Sequence, residues 1–400
     1  MDSVSRKISI LARIVALVVL AAAAFFSIRL AVADHQFRRG TPASVARALA
    51  LLPGNTSYLA LRALQLDYDN QDAGPLLERA ARLNPLASAP RIRLGIAAEA
   101  RGDFAGAEKW LLDAARVDHQ FEPRWTLANF YFRQNRERAT ENDFWKWLRL
   151  ALAVSYGDRR LAFDLAWRVS QDPAEILARA IPTDHAVMRA YLDYLLDRHR
   201  DAAGSAALSL AAVRDPADVP ALEAACDALI AAGKTAEARV LWRALGHAPA
   251  AALLINGGFT EDPRGHGFDW RPIESAGVQH ARLAASPGHR VSLSGKQAEA
   301  CDLLLQYVAL APGRRYRLRW DARTVNLASP SGIEWAVGTA AGIVESSEAW
   351  RAGSAVFTAP TGLLPLRLRY RRPAGQARAE GAVEIRNVAL SDMELTEEKP

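Results

Sequence analysis

The chain has 400 residues, 50 % apolar and 24 % charged, with a formal charge of +6 and a pI near 9.5. These are the length and composition of an ordinary globular protein of two or three domains, large enough for a sizeable core. The basic excess raises nucleic acid as a partner, but its distribution argues against that reading. Residues 1–40 carry six Lys/Arg against two Asp/Glu, residues 41–253 carry 26 against 26, and residues 254–400 carry 18 against 16. The excess sits mostly beside an apolar segment, where it is a membrane-topology signal rather than a nucleic-acid footprint. Two cysteines, Cys226 and Cys301, allow neither a disulfide framework nor a Cys-x-x-Cys metal knuckle, and both are expected to be buried.

Arg6, Lys7 and Arg13 precede the apolar run Ile14 to Ile28, which Arg29 closes before Leu30 to Ala33. From Ile8 to Ala33, with the two arginines snorkelling, the segment reaches the roughly 20 residues that span a bilayer. Two readings remain open. Ala31-Val32-Ala33 before Asp34 suits signal-peptide cleavage, whereas the length and the basic Arg38 and Arg39 suit an uncleaved anchor. The anchor is preferred, and both readings place the rest of the chain outside the cytoplasm, with the short basic N-terminal flank inside.

Beyond Gly40-Thr41-Pro42, residues 43–52 predict a lone second helix of an atypical first repeat. From Tyr58 to His119 one helix-turn-helix unit is then written twice. Ala60, Leu61, Leu64, Ala73, Leu77, Ala80 and Pro85 recur 34 residues later as Leu94, Gly95, Ala98, Ala107, Leu111, Ala114 and His119. This register resembles the tetratricopeptide repeat, with small residues where the two helices touch and a Pro-type breaker at the end. A third unit opens at Trp125, and its second helix, from Phe144 to Ala153, is displaced by about three residues if Ala151 takes the small-residue place. Residues 157–182 predict degenerate helices edged by Pro173 and Pro182. The register returns in Leu195, Gly204, Leu208 and Ala211, matched by Leu229, Ala238, Trp242 and Leu245. The resemblance implies a solenoid over residues 41–250 that binds other proteins in its groove.

Near Ala250 the period changes from 3.6 to 2, marking a domain boundary. Tyr316, Leu318 and Trp320 alternate with Arg315, Arg317 and Arg319, and Leu366, Leu368 and Tyr370 alternate with Arg367, Arg369 and Arg371. About eight such strands predict a two-sheet jelly-roll sandwich over residues 254–395, expected to fold without the solenoid. Its opening, Leu254-Ile255-Asn256-Gly257-Gly258-Phe259 with Gly267-Phe268-Asp269-Trp270, resembles carbohydrate-binding modules and galactose-binding-like jelly rolls. So does the closing run from Gly381 to Leu395. The predicted fold class is therefore multidomain: an N-terminal transmembrane helix in residues 1–40, an all-α repeat solenoid, then an all-β jelly roll.

Motifs for catalysis are sparse. Gly233-Lys234-Thr235 copies the end of a phosphate-binding loop, but the Gly required five residues before Gly233 is Ala228. Neither His-Glu-x-x-His nor Gly-x-Ser-x-Gly occurs. Glu334 with Glu380 or Glu384 offers paired carboxylates of the glycosidase type, although Glu334 and Glu384 alternate with apolar residues and are expected to face water. Oxygen ligands for a structural calcium could come from Asp392 with Asn256 or Glu261, in no dense acidic loop, so the metal is left unassigned.

Trp270, Trp335 and Trp350 are candidates for stacking on sugar rings, with core packing the competing role, above all for Trp335, which shares a face with Ile333 and Val337. Tyr131 and Trp145 are candidates for lining the solenoid groove. The two arginine rows, Arg315, Arg317 and Arg319 with Arg367, Arg369 and Arg371, offer bidentate donors to an acidic glycan unless they belong to different sheets or pair with neighbouring carboxylates. The expected function is a non-catalytic, membrane-anchored scaffold of a bacterial cell envelope. It would recruit envelope protein through the groove and contact polysaccharide through the sandwich, in exopolysaccharide assembly or export, without cofactor or nucleic acid. A pure protein-interaction scaffold with the sandwich as a cap, and a glycan-processing accessory using the Glu pair, are the alternatives.

Overall fold

The computed structural model describes residues 2–134, 141–247, 252–338 and 340–393, with the backbone alone for residues 2–10. The expected change of period near Ala250 and the last two residues of the expected closing strand, 394 and 395, lie outside the described residues, as do the side chains of Arg6 and Lys7. The chain divides into two compact units, residues 1–169 with 179–182 and residues 170–178 with 183–400. This division falls well before the change of period.

In the first unit, α1 (Asp2–Arg38) contains the one helix segment, Leu11–Arg38, that is long and apolar enough among the described residues to cross a membrane. The helix does not stop at the end of its apolar run. Its last turns pack on α2 (Pro42–Leu51) and α3 (Thr56–Tyr68). Ala33 is fully buried with Ala48 and Tyr58, the Phe37 and Tyr58 rings stack at 4.6 Å, and Arg29 Nε donates to the Leu51 carbonyl at 2.7 Å. Thr41 caps α2 by accepting from the Ser44 amide, and Pro42 sits at the first helical position, where its missing N–H costs nothing. The second helix expected to be alone therefore has a partner, supplied by the end of α1.

The pairs α3 with α4 (Gly74–Leu83) and α5 (Ala89–Ala100) with α6 (Phe104–Val117) follow the 34-residue register in their second helices. Ala73, Leu77 and Ala80 are buried like Ala107, Leu111 and Ala114. The first helices differ. Leu64 is 57 % exposed, and Ala63, one residue earlier, takes the buried place. The register of α6 would start α4 at residue 70; α4 starts only at Gly74, about one turn late. Neighbouring pairs are tied by Arg133, whose guanidinium donates two 2.8 Å bonds to Glu99 one repeat earlier, and by Arg93 to Asp67. The helices α7 (Phe121–Gln134), α8 (Glu141–Leu152) and α9 (Arg160–Val169) continue the series, with Ala151 buried as expected; α10 (Pro173–Arg179) lies in the second unit up to residue 178.

Beyond α10 the second unit contains α11 (His185–Arg198), α12 (Gly204–Ala211), α13 (Val219–Ala231) and α14 (Thr235–Ala244). Cys226 lies fully buried on α13, while Cys301 is only half-buried at the rim of the sandwich core. Among the described residues ten strands follow: β1 (Arg271–Pro272), β2 (Val278–Arg282), β3 (His289–Ser294), β4 (Ala300–Ala309), β5 (Arg315–Val325), β6 (Ile333–Val337), β7 (Ala340–Ile343), β8 (Arg351–Thr358), β9 (Leu363–Arg371) and β10 (Glu380–Asp392). They form two five-stranded antiparallel sheets, ordered β1-β4-β9-β6-β7 and β2-β3-β10-β5-β8. Alternation puts Tyr316, Leu318 and Trp320 from one sheet and Leu366, Leu368 and Tyr370 from the other into one shared core. Gly342 on β7 and Gly353 on β8 clasp the Trp320 indole; a Cβ at either would come within 2.4 or 2.3 Å of the ring.

Two outcomes follow from this packing. Ala107→Leu is expected to overpack the α5–α6 contact and cost about 1–3 kcal/mol, read as a lowered thermal midpoint; an unchanged midpoint contradicts the register. Burial first, and the neighbouring His280 second, push His289 down to about 4, so it is neutral in the folded state. Between about pH 6.5 and that value the unfolded chain takes up a proton that the folded chain refuses. Stability contributed above pH 6.5 is thus lost as pH falls, by roughly 3 kcal/mol at full extent. Urea midpoints at pH 7 and pH 5 measure this loss, and His289→Gln should flatten the difference.

Candidate functional site

The residues expected to line the solenoid groove are structural. Tyr131 is 4 % exposed and donates to Glu108 on α6 at 2.6 Å; Trp145 is 2 % exposed, edge-on to Phe144, with its Nε1 directed at Glu141 and the Arg179 guanidinium over its ring. Burial and the Glu108 carboxylate raise the Tyr131 phenol well above its usual range, holding it neutral. Both correct the sequence-based expectation, because a helix between two neighbours buries two faces.

In the sandwich, Trp270 and Trp335 are also corrections. They are 0 % and 1 % exposed, their rings 5.7 Å apart in the core, with Phe259 stacked on Trp270 and Trp320 beside Trp335. Neither presents a face to a sugar. Trp350 is half-buried, with the guanidinium groups of Arg386 and Arg323 at 4.1 and 5.0 Å from its ring centre. That cation–π contact occupies ring surface that sugar stacking would need.

The two arginine rows lie on different sheets and face away from each other. On the outer face of the first sheet, β9 lies between β4 and β6, which carry acids. Arg367 meets Asp302 at 3.3 Å, and Glu334 takes Arg369 at 2.6 Å and Arg371 at 3.7 Å. On the outer face of the second sheet, Arg315, Arg317 and Arg319 on β5 stand opposite Thr358, Val356 and Ser354 of β8, with Ala389 and Ser391 of β10 on the other side. Among the described residues none of these three arginines has an ion-pair partner.

Farther along the same face, Glu384 is 3 % exposed. It lies between Arg290 at 2.9 Å and Arg323 at 2.6 Å, contrary to the expectation that it faces water, because long arginine stems from both neighbouring strands cover it. Glu334 and Glu384 therefore stand on opposite outer faces with a core between them, and a glycosidase pair is not assembled from them. Asp392 is engaged by Arg314 at 2.9 Å, and the Asn256 amide bridges the backbone of Glu261, so the Asp392 and Asn256 oxygens considered for calcium already have partners.

One constellation had no signal in the sequence. Asp227, on α13, accepts from the Gly267 amide at 2.7 Å, from His266 Nδ1 at 2.7 Å and from the Arg271 guanidinium. Its loop partners come from the stretch that carries Phe268, Asp269 and Trp270. Asp269 is buried beneath them, where burial raises its carboxyl above the usual range even though it accepts from the Trp270 and Arg264 amides. A second acidic group, Asp218 with His185 at 2.7 Å and Asp215, has the spacing of metal ligands, but Arg189 already donates to Asp218 at 3.0 Å.

No protein-family model matches the chain, and none of the curated proteins matches it. Among solved structures, one titled "CBM4 structure and function" is similar at 11 % identity over 35 % of this chain and 99 % of its own, with a TM-score of 0.29. The tetratricopeptide-repeat domain of P58(IPK) is similar at 13 % identity, over 55 % of this chain and 59 % of that one, with a TM-score of 0.24. The Pseudomonas fluorescens alkylpurine DNA glycosylase AlkC, bound to DNA containing an abasic-site analogue, is similar at 14 % identity over 91 % of this chain and 96 % of its own, with a TM-score of 0.18. The fold class stands on the helix pairs and the two sheets themselves.

Removing the half-buried Asp227 carboxylate leaves the Gly267 amide without its acceptor and Arg271 with the Gly267 carbonyl alone. Asp227→Ala is expected to destabilise the second unit by about 2 kcal/mol. A urea midpoint equal to the wild type, followed by tryptophan fluorescence, would show that the loop is held by other contacts.

Proposed function

We propose that this protein is a non-catalytic, membrane-anchored binding protein of the bacterial cell envelope, in which the helix pairs recruit a protein and the sandwich contacts polysaccharide during exopolysaccharide assembly or export. The observation that carries the reading is the continuity of α1, which runs from a membrane-length apolar stretch into the first helix pair. Cleavage after Ala33 would remove Ala33 and Arg29 from their contacts with Ala48, Tyr58 and Leu51, which supports the uncleaved anchor over the cleaved signal peptide. The basic N-terminal flank keeps the N-terminus in the cytoplasm and the helix pairs outside it.

A second reading is favoured by the grip of Asp227 on residues 266–271 and by the Trp242 indole seated against Gly267: the sandwich closes the end of the helix series and has no ligand of its own. Both readings share the anchor. Alkaline carbonate washing of membranes should leave the full-length chain in the pellet, and protease added from the periplasmic side should digest the helix pairs. A soluble form beginning at Asp34 would overturn the anchored reading. Retention of the detergent-solubilised protein on immobilised polysaccharide separates the glycan reading from the cap.

A further inference from the structure

The face of β5 is unlike the rest of the sandwich surface. Its outward positions are Arg315, Arg317, Arg319, Asp321 and Arg323, and the register adds Arg290 from β3 with Glu380, Glu384 and Arg386 from β10. Six arginines thus share one sheet face with three carboxylates. Two of those acids are taken: Glu384 by Arg290 and Arg323, and Asp321 by Arg386 at 3.6 Å and Asn387 at 2.8 Å. Glu380 stands at the far end of the face, opposite Ser294. What remains is a row of three guanidinium groups on alternate residues, roughly 6.7 Å apart along the strand. Among the described residues, the side chains that flank the row on β8 and β10 are uncharged, and Arg315 and Arg319 are exposed.

We propose that this row is a docking surface for an acidic polysaccharide, with Arg315, Arg317 and Arg319 donating to carboxylates along the chain. This rests on the reading of the sandwich as a glycan-contacting domain and names the class of glycan. Guanidinium forks match carboxylates bidentately, which a neutral sugar cannot exploit. A single exposed ion pair contributes little, so a small acid gains almost nothing here. A polymer with repeated carboxylates engages several arginines at once and gains through effective concentration. Single-stranded nucleic acid would need flat aromatic platforms beside the cations, and the flanking positions are Thr358, Val356, Ser354, Ala389 and Ser391. The ring nearest this face, Trp350, is covered by Arg323 and Arg386.

The test uses the full-length protein in detergent micelles, with polygalacturonate as the acidic probe, dextran as the neutral one, and phosphatidylglycerol vesicles as an alternative anionic surface. Polygalacturonate should bind, and weaken as salt rises, because exposed charges are screened. Arg317→Gln with Arg319→Gln should lower its affinity roughly tenfold. Arg367→Gln, on the opposite face, should leave it unchanged. The proposal fails if the double variant binds polygalacturonate as the wild type does, if binding ignores salt, or if only the vesicles bind. Dextran binding that survives the double variant without polygalacturonate binding leaves the glycan reading standing and removes this one; retention of neither polymer removes both.

Discussion

From residue 183 onward the structure depends on one carboxylate. Asp227 lies on a helix of the repeat register, yet its oxygens are occupied by groups that belong to the sandwich: the Gly267 amide, His266 and Arg271. A half-buried charge persists where such partners surround it. Arg271 passes the restraint on, since it belongs to β1, which pairs with β4, and its guanidinium lies 5.0 Å from the ring centre of Tyr307. The Trp242 indole covers Gly267 so closely that any side chain there would collide with it. Helices and sheets after residue 183 are therefore one compact unit, and the change from helical to strand period does not mark where that unit begins.

The electrostatic character of the two outer faces is decided by register rather than by composition. Both β5 and β9 carry arginine at every second position over three turns of the pleat. The strands beside β9 bring Asp302 and Glu334 opposite its arginines, and that face neutralises itself. The strands beside β5 bring serine, threonine, valine and alanine, and charge stays on the surface. Near-equal totals of acidic and basic residues in the sandwich conceal this difference, because what matters is which side chains the register sets beside each arginine.

Much of the fold is legible in the sequence where one physical rule governs a position. Small residues 34 apart mark helix contacts, and a period of two marks strands with one buried face. The rule fails where an element has two covered faces or where neighbours reach across. The helix α7 packs against α6 and α8, so adjacent Phe130 and Tyr131 are both buried and no groove residue can be picked by parity. Trp270 sits in a loop before the first strands, where no alternation indicates which way it turns. Glu384 has the parity of an exposed residue and is nevertheless enclosed, because parity says which face a side chain leaves from and nothing about the arginines that fold over it. Asp227 is invisible for a related reason: its partners are 39 to 44 residues away and belong to a different period.

The continuity of α1 has a mechanical meaning. Most tethered domains hang from a flexible linker and sample every orientation above the bilayer. Here the ten residues from Arg29 to Arg38 are helix packed onto the first pair, so the helix pairs begin within about 15 Å of the end of the apolar run. If α1 spans a bilayer as proposed, tilting it there would tilt the first pair with it. Under the anchored reading the helix pairs would stand at a set height and angle, and a change in membrane thickness or in the tilt of the anchor would change how they are presented.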